Sequence, residues 1–284
     1  MTTTVAQVYV PARSLALDLR AIKIVVTRDL IRTYQDKLRF LSQLVQPVLF
    51  LFVLGSGLSS LTSGATGSLD LRTFMYPGVL ATSTLFTAMF SAVSIVWDRE
   101  FGFLREMLVA PVRRSSIIFG KALGGAVIAT GQGVVVLVLG LLVHVPLSPL
   151  LVLTLLAEVF LLSFTLTAFG LAIVARITQV QTVMGIMQML LLPLSFLSGA
   201  LYPLSNLPRW LGILTRLNPL TYAVHPVRTA VFHHLHAPAA ILARLNPPIT
   251  WFGWEVPTGL QLLLVGAIGA ALMGVAVRQF QKVE

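Results

Sequence analysis

Long uncharged runs alternate with short charged segments along this chain. Arg39 to Asp70 brackets the first run, whose apolar part covers about residues 40–61, and Arg72 to Asp98 brackets a second at about 75–97. The uncharged interval from Lys121 to Glu158 is too long for one crossing, because the roughly 30 Å hydrocarbon core takes about 20 helical residues. "HVPLSPL" divides it: Pro146 and Pro149 lack amide donors and clash with the preceding turn. This predicts a third span at about 118–143 and a fourth at about 150–175. A fifth follows at about 180–201 and a sixth at about 257–277. The pattern is that of an all-α membrane protein with six transmembrane helices.

Two other segments have helical periodicity without the length or polarity of a span. In 15–39, Leu19, Ile22, Val26, Leu30, Tyr34 and Leu38 recur at spacings of three and four, with Arg28, Arg32, Asp36 and Arg39 on the other side. That predicts an amphipathic helix lying on the membrane surface, either a plain anchor or a lever onto the first span. Residues 202–256 form a long loop before the last span. "LPRWLGILTRLNP" and "PLTYAVHPVRTAVF" within it are too short to cross, and their Pro and Asn boundaries predict two short helices at the outer surface. Trp and Tyr there suit an interface.

Composition agrees with a lipid solvent. The chain is 56% hydrophobic and 11% charged with a mean hydropathy of +0.89, well above soluble domains. Disulfides and thiolate metal sites are excluded, because there is no cysteine. The net charge of +10 does not call for nucleic acid, since excess Lys and Arg in membrane proteins marks cytoplasmic loops. With six spans both termini share a side, and that side holds fifteen of the twenty basic residues. The other has only Arg72, Arg209, Arg216, Arg228 and Arg244. Both ends are therefore expected in the cytoplasm. "MTTTVAQVYVPARS" does not read as a secretory signal.

Candidate chemistry is sparse. No Walker A sequence occurs: "FGKALGG" has Ala122 where the hydroxyl would stand. No H-E-x-x-H or G-x-S-x-G element is present. His233, His234 and His236 lack a nearby carboxylate, a weak metal pattern better read as a loop tip. Glu158 is the one acid well inside a span, where an ionised carboxylate is costly. It could meet a cationic substrate, relay protons as in a proton-coupled secondary transporter, or make a structural hydrogen bond between helices. Gly120, Gly124, Gly125, Gly131 and Gly133 in the third span read as helix packing. A membrane-embedded enzyme would need a polar cluster that the sequence does not supply.

The densest charge lies in "VWDREFGFLREMLVAPVRRSSIIFGKAL", residues 96–123. "DREFGFLREMLVAPVRRSSIIFGKAL" closely resembles the signature of ABC-2 type permeases, the membrane subunits of a class of ABC exporters. Asp98, Arg99, Glu100, Gly102, Leu104, Pro111, Arg114, Gly120 and Lys121 stand at the matching positions. "LSGALYPLSNLPRWLGILTRLNPLTYAVHPVR" resembles a second family element through Ser198, Gly199, Pro203, Pro208, Trp210, Asn218, Pro219 and Tyr222. Phe103-Leu104-Arg105 departs from the frequent Thr-Leu-Glu. The resemblance spans nearly all of 1–284 and implies one ABC-2 transmembrane domain. It implies that 98–116 forms a cytoplasmic coupling helix docking on a separate ABC ATPase dimer. Arg99, Glu100, Arg105 and Glu106 would set the register there, and Ser115 and Ser116 would cap the third helix. It implies an outer re-entrant helical loop before the last span. It further implies pairing with a second permease chain, like or unlike, in the cytoplasmic membrane of a bacterium. ATP and Mg would sit on the partner, with no cofactor on this chain. The expected activity is ATP-driven export of a drug, antibiotic or lipid, with polysaccharide or glycolipid export as the alternative.

Overall fold

The computed structural model describes residues 14–57, 71–109, 112–202, 207–235, 245–251 and 253–283. These are almost entirely helical. The first helix, α1 (Leu15–Gln35), starts where the Ser14 hydroxyl accepts the Leu17 amide at 3.3 Å. It stops one turn short of the expected residue 39, because Asp36 leaves helical geometry with ψ 65°. After this elbow α2 (Lys37–Val48) continues through a π-helical stretch, Leu49–Leu54, into a last turn at Gly55–Gly57. Pro47, which has no amide to donate, stands two residues before the wider winding.

Next come α3 (Leu71–Ala92) and, after a break at Val93, α4 (Ser94–Glu100). A short helix α5 (Phe103–Val109) leads to α6 (Arg114–Leu139), which tightens into a 3-10 turn at Gly140–Val143. The Pro-rich break falls where the sequence puts it. His144 is left-handed with φ 58°, and Ser148 caps α7 (Pro149–Val174) with Pro149 in its first turn. Then follow α8 (Val180–Phe196), α9 (Arg209–Leu217) and α10 (Thr221–His233). A two-residue-per-strand hairpin, β1 (Thr250–Trp251) and β2 (Trp254–Glu255), precedes the last helix, α11 (Thr258–Val283).

Among the described residues, five stretches are long and apolar enough to cross a membrane: Phe40–Gly57, Leu71–Glu100, Arg114–Val143, Pro149–Val174 and Thr258–Lys282. Of the expected fifth crossing at 180–201, helix α8 covers Val180–Phe196, 17 residues. Pro193 sits in its last turn, and the chain then bends through Gly199 with φ 70°. At 1.5 Å per residue it rises about 25 Å, short of the roughly 30 Å core. The second and third stretches reach further into the charged segment than expected, so 98–116 is a helix end, a short helix and a helix start.

Three helices, α3, α6 and α7, pack on one another, and α11 lies along α7. The short α10 was expected at the surface. It is instead wedged among α3, α7 and α11, with Val224, Val227 and Val231 buried. Only α9 behaves as expected, exposing Trp210, Ile213 and Leu217. Burial is uneven: 78% of the best apolar window in Leu71–Glu100 is buried against 17% in Phe40–Gly57. So α3 is the axis of the fold and α2 is peripheral.

The face by which α1 docks also differs from its apolar stripe. Leu19, Leu30 and Tyr34 are exposed, while Asp18, Val25 and Asp29 are buried against α6. The close approach needs a notch in α6. A Cβ on Gly120 would lie 2.9 Å from Val25 Cβ and 3.3 Å from the Ile22 backbone. Gly131, further along the same helix, would meet nothing. Gly120→Ala is therefore expected to destabilise the protein by about 1–3 kcal/mol, with Gly131→Ala unchanged or slightly stabilised. Thermal midpoints of the two variants in detergent check this.

Candidate functional site

Charge on the polar side of the fold is organised around Lys121, seven residues into α6. Its side chain is 1% exposed. The ammonium lies 2.9 Å from Asp29 Oδ1 on α1, 2.6 Å from Asp98 Oδ2 on α4 and 3.2 Å from the Ser94 hydroxyl. Arg28 adds a second cation, donating to Asp98 Oδ2 and lying 3.7 Å from Asp29. Two cations thus face two carboxylates. Burying each ion costs several kcal/mol, offset only by such pairing, and removing one partner from a buried pair typically costs about 3–5 kcal/mol. Three turns earlier on α1, Asp18 accepts the Arg113 amide at 3.0 Å and meets its guanidinium at 3.4 Å. An Asp from α1 therefore satisfies the start of α6. Ser115 and Ser116 do not cap it, because the N-cap position falls at Arg113.

The two residues after Asp98 bind elsewhere in the same chain. Arg99 donates to the Ile177 carbonyl at 2.7 Å and the Ala175 carbonyl at 3.0 Å, both just past the end of α7. Glu100 accepts the Val180 amide at 2.8 Å, the first of α8. A cation on a helix C-terminus and an anion on the next N-terminus both suit the helix dipole. Gly102 takes φ 83°, a left-handed turn that reverses the chain into α5. Leu104 is buried beneath α5. Facing away are Phe101 (64% exposed), Phe103 and Val109 (86% exposed), with Glu106 beside them. Arg114 donates to the Gln281 carbonyl at 3.5 Å. Pro111 and the Arg105 side chain lie outside the described residues. Of the expected coupling residues, Asp98, Arg99, Glu100 and Leu104 hold the segment in place and Glu106 is exposed, whereas the outward Phe101, Phe103 and Val109 were not among them.

A cleft of about 490 Å³ adjoins the charge cluster. Asp29 and Arg32 of α1, Phe40 of the following helix, Phe90 and Trp97 line it, with Met184 contributed by α8. The Arg32 guanidinium stacks 5.1 Å from the Trp97 ring centre. Glu158 is not among its lining residues. It is buried on α7, and its Oε2 has no hydrogen-bond partner among the described residues.

The second family-like element forms a separate knot. Asn218 donates to the Leu194 carbonyl at 2.8 Å, tying the start of α10 to the end of α8. Ser198 donates to the Ser195 carbonyl at 2.6 Å. Tyr222 donates to the Arg216 carbonyl and accepts the Trp251 indole, both at 2.8 Å. Pro208 is the N-cap of α9, whose second residue is Trp210, and Pro219 lies in the turn into α10. Arg228, fully buried, reaches the Gly199 and Ala200 carbonyls at 2.8 and 3.1 Å and lies over Phe74. Pro203 and His236 are outside the described residues. Among the described residues no group of three His, Cys, Asp or Glu side chains could hold a metal.

Asp18 and Asp29 were not singled out by the sequence, and Arg28 was placed only on the polar side of α1. Asp18 and Asp29 are eleven residues apart, three helical turns, and so share a face. In a chain with ten acidic residues, that pairing on one helix was the available signal.

Comparison with known proteins gives the fold a context. The family model for the ABC-2 type transporter matches residues 20–232. The ycf38 protein of Cyanophora paradoxa, named as a transport permease, is 31% identical over 214 residues, covering 74% of this chain and 73% of that one. YbhR of Escherichia coli K12, named as a multidrug ABC transporter permease, is 32% identical over 158 residues, 55% of this chain and 42% of YbhR. Nodulation protein J of Rhizobium leguminosarum bv. trifolii is 28% identical over 200 residues, 68% of this chain and 74% of that protein.

The knot around α10 carries a pH dependence. Burial, with Arg228 one turn away adding to it, pushes His225 down to about 4. The unfolded chain then takes up the proton first, so the stabilisation is complete above about pH 6.5 and is lost as pH falls through about 4. The loss expected over that window is about 3 kcal/mol. His225→Gln should flatten that part of the curve of thermal midpoint against pH.

Proposed function

The chain belongs to the ABC-2 type transporter family, and from that premise we propose that it exports a hydrophobic or amphiphilic compound across the cytoplasmic membrane by alternating access. It is a transport permease subunit of an ABC transporter, a multi-pass membrane protein, and ATP is hydrolysed by a separate ATPase. The reading of how the two meet is carried by one observation. Phe101, Phe103 and Val109 are exposed on a short segment whose base is fixed by Asp98, Arg99, Glu100 and Leu104. Held so firmly, an apolar tip in water suits a groove on a partner, where buried aromatic side chains supply much of the binding energy. ATP, with Mg, would act on that partner, closing its dimer and moving the tip.

The basic residues favour a cytoplasmic position for this segment and both termini. That topology has α8 as a sixth crossing, its 17 residues at the lower limit for a span. The exposed stripe of α1, Leu19, Leu30 and Tyr34, then lies on the inner lipid surface. Gln181 and Gln188 are exposed on one face of α8. Amide side chains are poorly solvated in hydrocarbon, so this face and the sparsely buried α2 are where a second permease chain would line a path. The cleft suits a drug-sized amphiphile rather than a polymer, through its volume and its aromatic lining. The printed name of YbhR, that of a multidrug permease, is in keeping with this.

Phe101→Asp with Phe103→Asp should weaken capture of the ATPase subunit in detergent by at least about tenfold. Both side chains are more than half exposed, so the thermal midpoint of the permease alone should fall only slightly, Phe101 losing its tilted ring contact with Trp97. Undiminished capture would remove the docking role from α5. The path proposed here also bypasses Glu158. Glu158→Gln should leave ATP-driven transport in proteoliposomes within about twofold of the parent, whereas its loss would favour a proton-coupled mechanism.

A further inference from the structure

The charge cluster does more than neutralise itself. Asp98 belongs to the base of the proposed docking segment, Asp29 to the helix before the first crossing, and Lys121 to the third crossing. They are far apart in sequence, Lys121 and Asp29 by 92 residues. The ammonium is the only group of α6 that reaches both carboxylates among the described ion pairs. Arg28 also bridges α1 to Asp98, but its side chain is 38% exposed against 1% for Lys121, so solvent screens it more. Gly120 and Gly124 bring α1 close enough for the contact: a Cβ on Gly124 would stand 3.4 Å from Asp29 Oδ2.

We propose that Lys121 is a positioning residue for transport, the clamp through which displacement of the docking segment reaches α1 and the wall of the cleft. This rests on the coupling role assigned to α5. When the partner moves the tip, Asp98 moves with α4, the ammonium follows both carboxylates, and Asp29 moves with it. Asp29, Ser94 and Trp97 line the cleft, so its width changes with the nucleotide state of the partner. A purely structural cluster would stiffen α1 equally in every nucleotide state.

The test is amide hydrogen exchange on the permease–ATPase complex, with and without a non-hydrolysable ATP analogue. Lys121→Met alone leaves two buried carboxylates to Arg28, so the clamp is cut by Asp29→Asn with Lys121→Met, which removes one charge of each sign. In the parent, the nucleotide is expected to change exchange in both α5 and α1. In the double variant the α5 response is expected to persist and the α1 response to be lost. Asp98→Asn with Lys121→Met, which cuts the other arm, should lose the α1 response as well. An α1 response kept in either variant, or absent in the parent while α5 responds, overturns the proposal. If α5 itself is silent in the parent, the coupling reading fails first.

Discussion

A single ammonium placed between two carboxylates on the third long helix constrains the polar half of this molecule. Lys121 cannot be buried without Asp29 and Asp98, because an unpaired ion would cost several kcal/mol, and without it the two carboxylates would be left to the half-exposed Arg28. The pairing fixes where α1 crosses α6, which requires the glycine notch at Gly120. It also fixes how α4 ends, and so where the next two residues point. Apolar burial could have supplied equal stability with less specificity, since an apolar face tolerates sliding. Opposed charges at 2.6 and 2.9 Å do not.

Arg99 and Glu100 extend the same logic to a second junction. The end of α7 leaves carbonyls without helical partners and the start of α8 leaves amides, a deficit common to every helix–turn–helix. One Arg and one Glu from a different element meet two carbonyls and one amide of this junction. The turn between α7 and α8 therefore hangs on the charged segment rather than on its own capping residues. Gln179, the N-cap of α8, makes no side-chain cap.

The charged segment, the long apolar helices, the Pro-rich break before Pro149 and both short helices after α8 were legible in the sequence, because each has a local cause: charge density, uncharged length, a missing amide. The docking face of α1 was not. Its apolar periodicity is real, yet the buried side is the one with Asp18 and Asp29, since their partners lie on another helix and leave no periodic trace. For the same reason Asp98, Arg99 and Glu100 look like a solvent-facing charged patch, although each is used inside the chain. The end of α8 was misplaced because hydropathy stays high through Leu197, whereas Pro193 and the left-handed Gly199 decide the backbone. Burial of α10 was also hidden. Its sequence resembles an interfacial helix, and only its packing among α3, α7 and α11 places Arg228 where backbone carbonyls of the turn after α8 can receive it.

These placements make the cleft mechanically unusual. One wall includes Asp29 of α1, and another includes Met184, one turn into α8. The first wall is bound to Asp98 through Lys121, and the second begins at the amide held by Glu100. The two walls are thus tied to positions two apart on α4, one on each side of Arg99. Rotation of α4 about its own axis would carry Asp98 and Glu100 in different directions, because residues two apart on a helix point about 200° apart. A small twist at the docking segment would then move the walls relative to each other, whereas translation along the axis would carry them together. Within the proposed mechanism, the geometry of this junction favours twist over push as the motion that opens and closes the cleft.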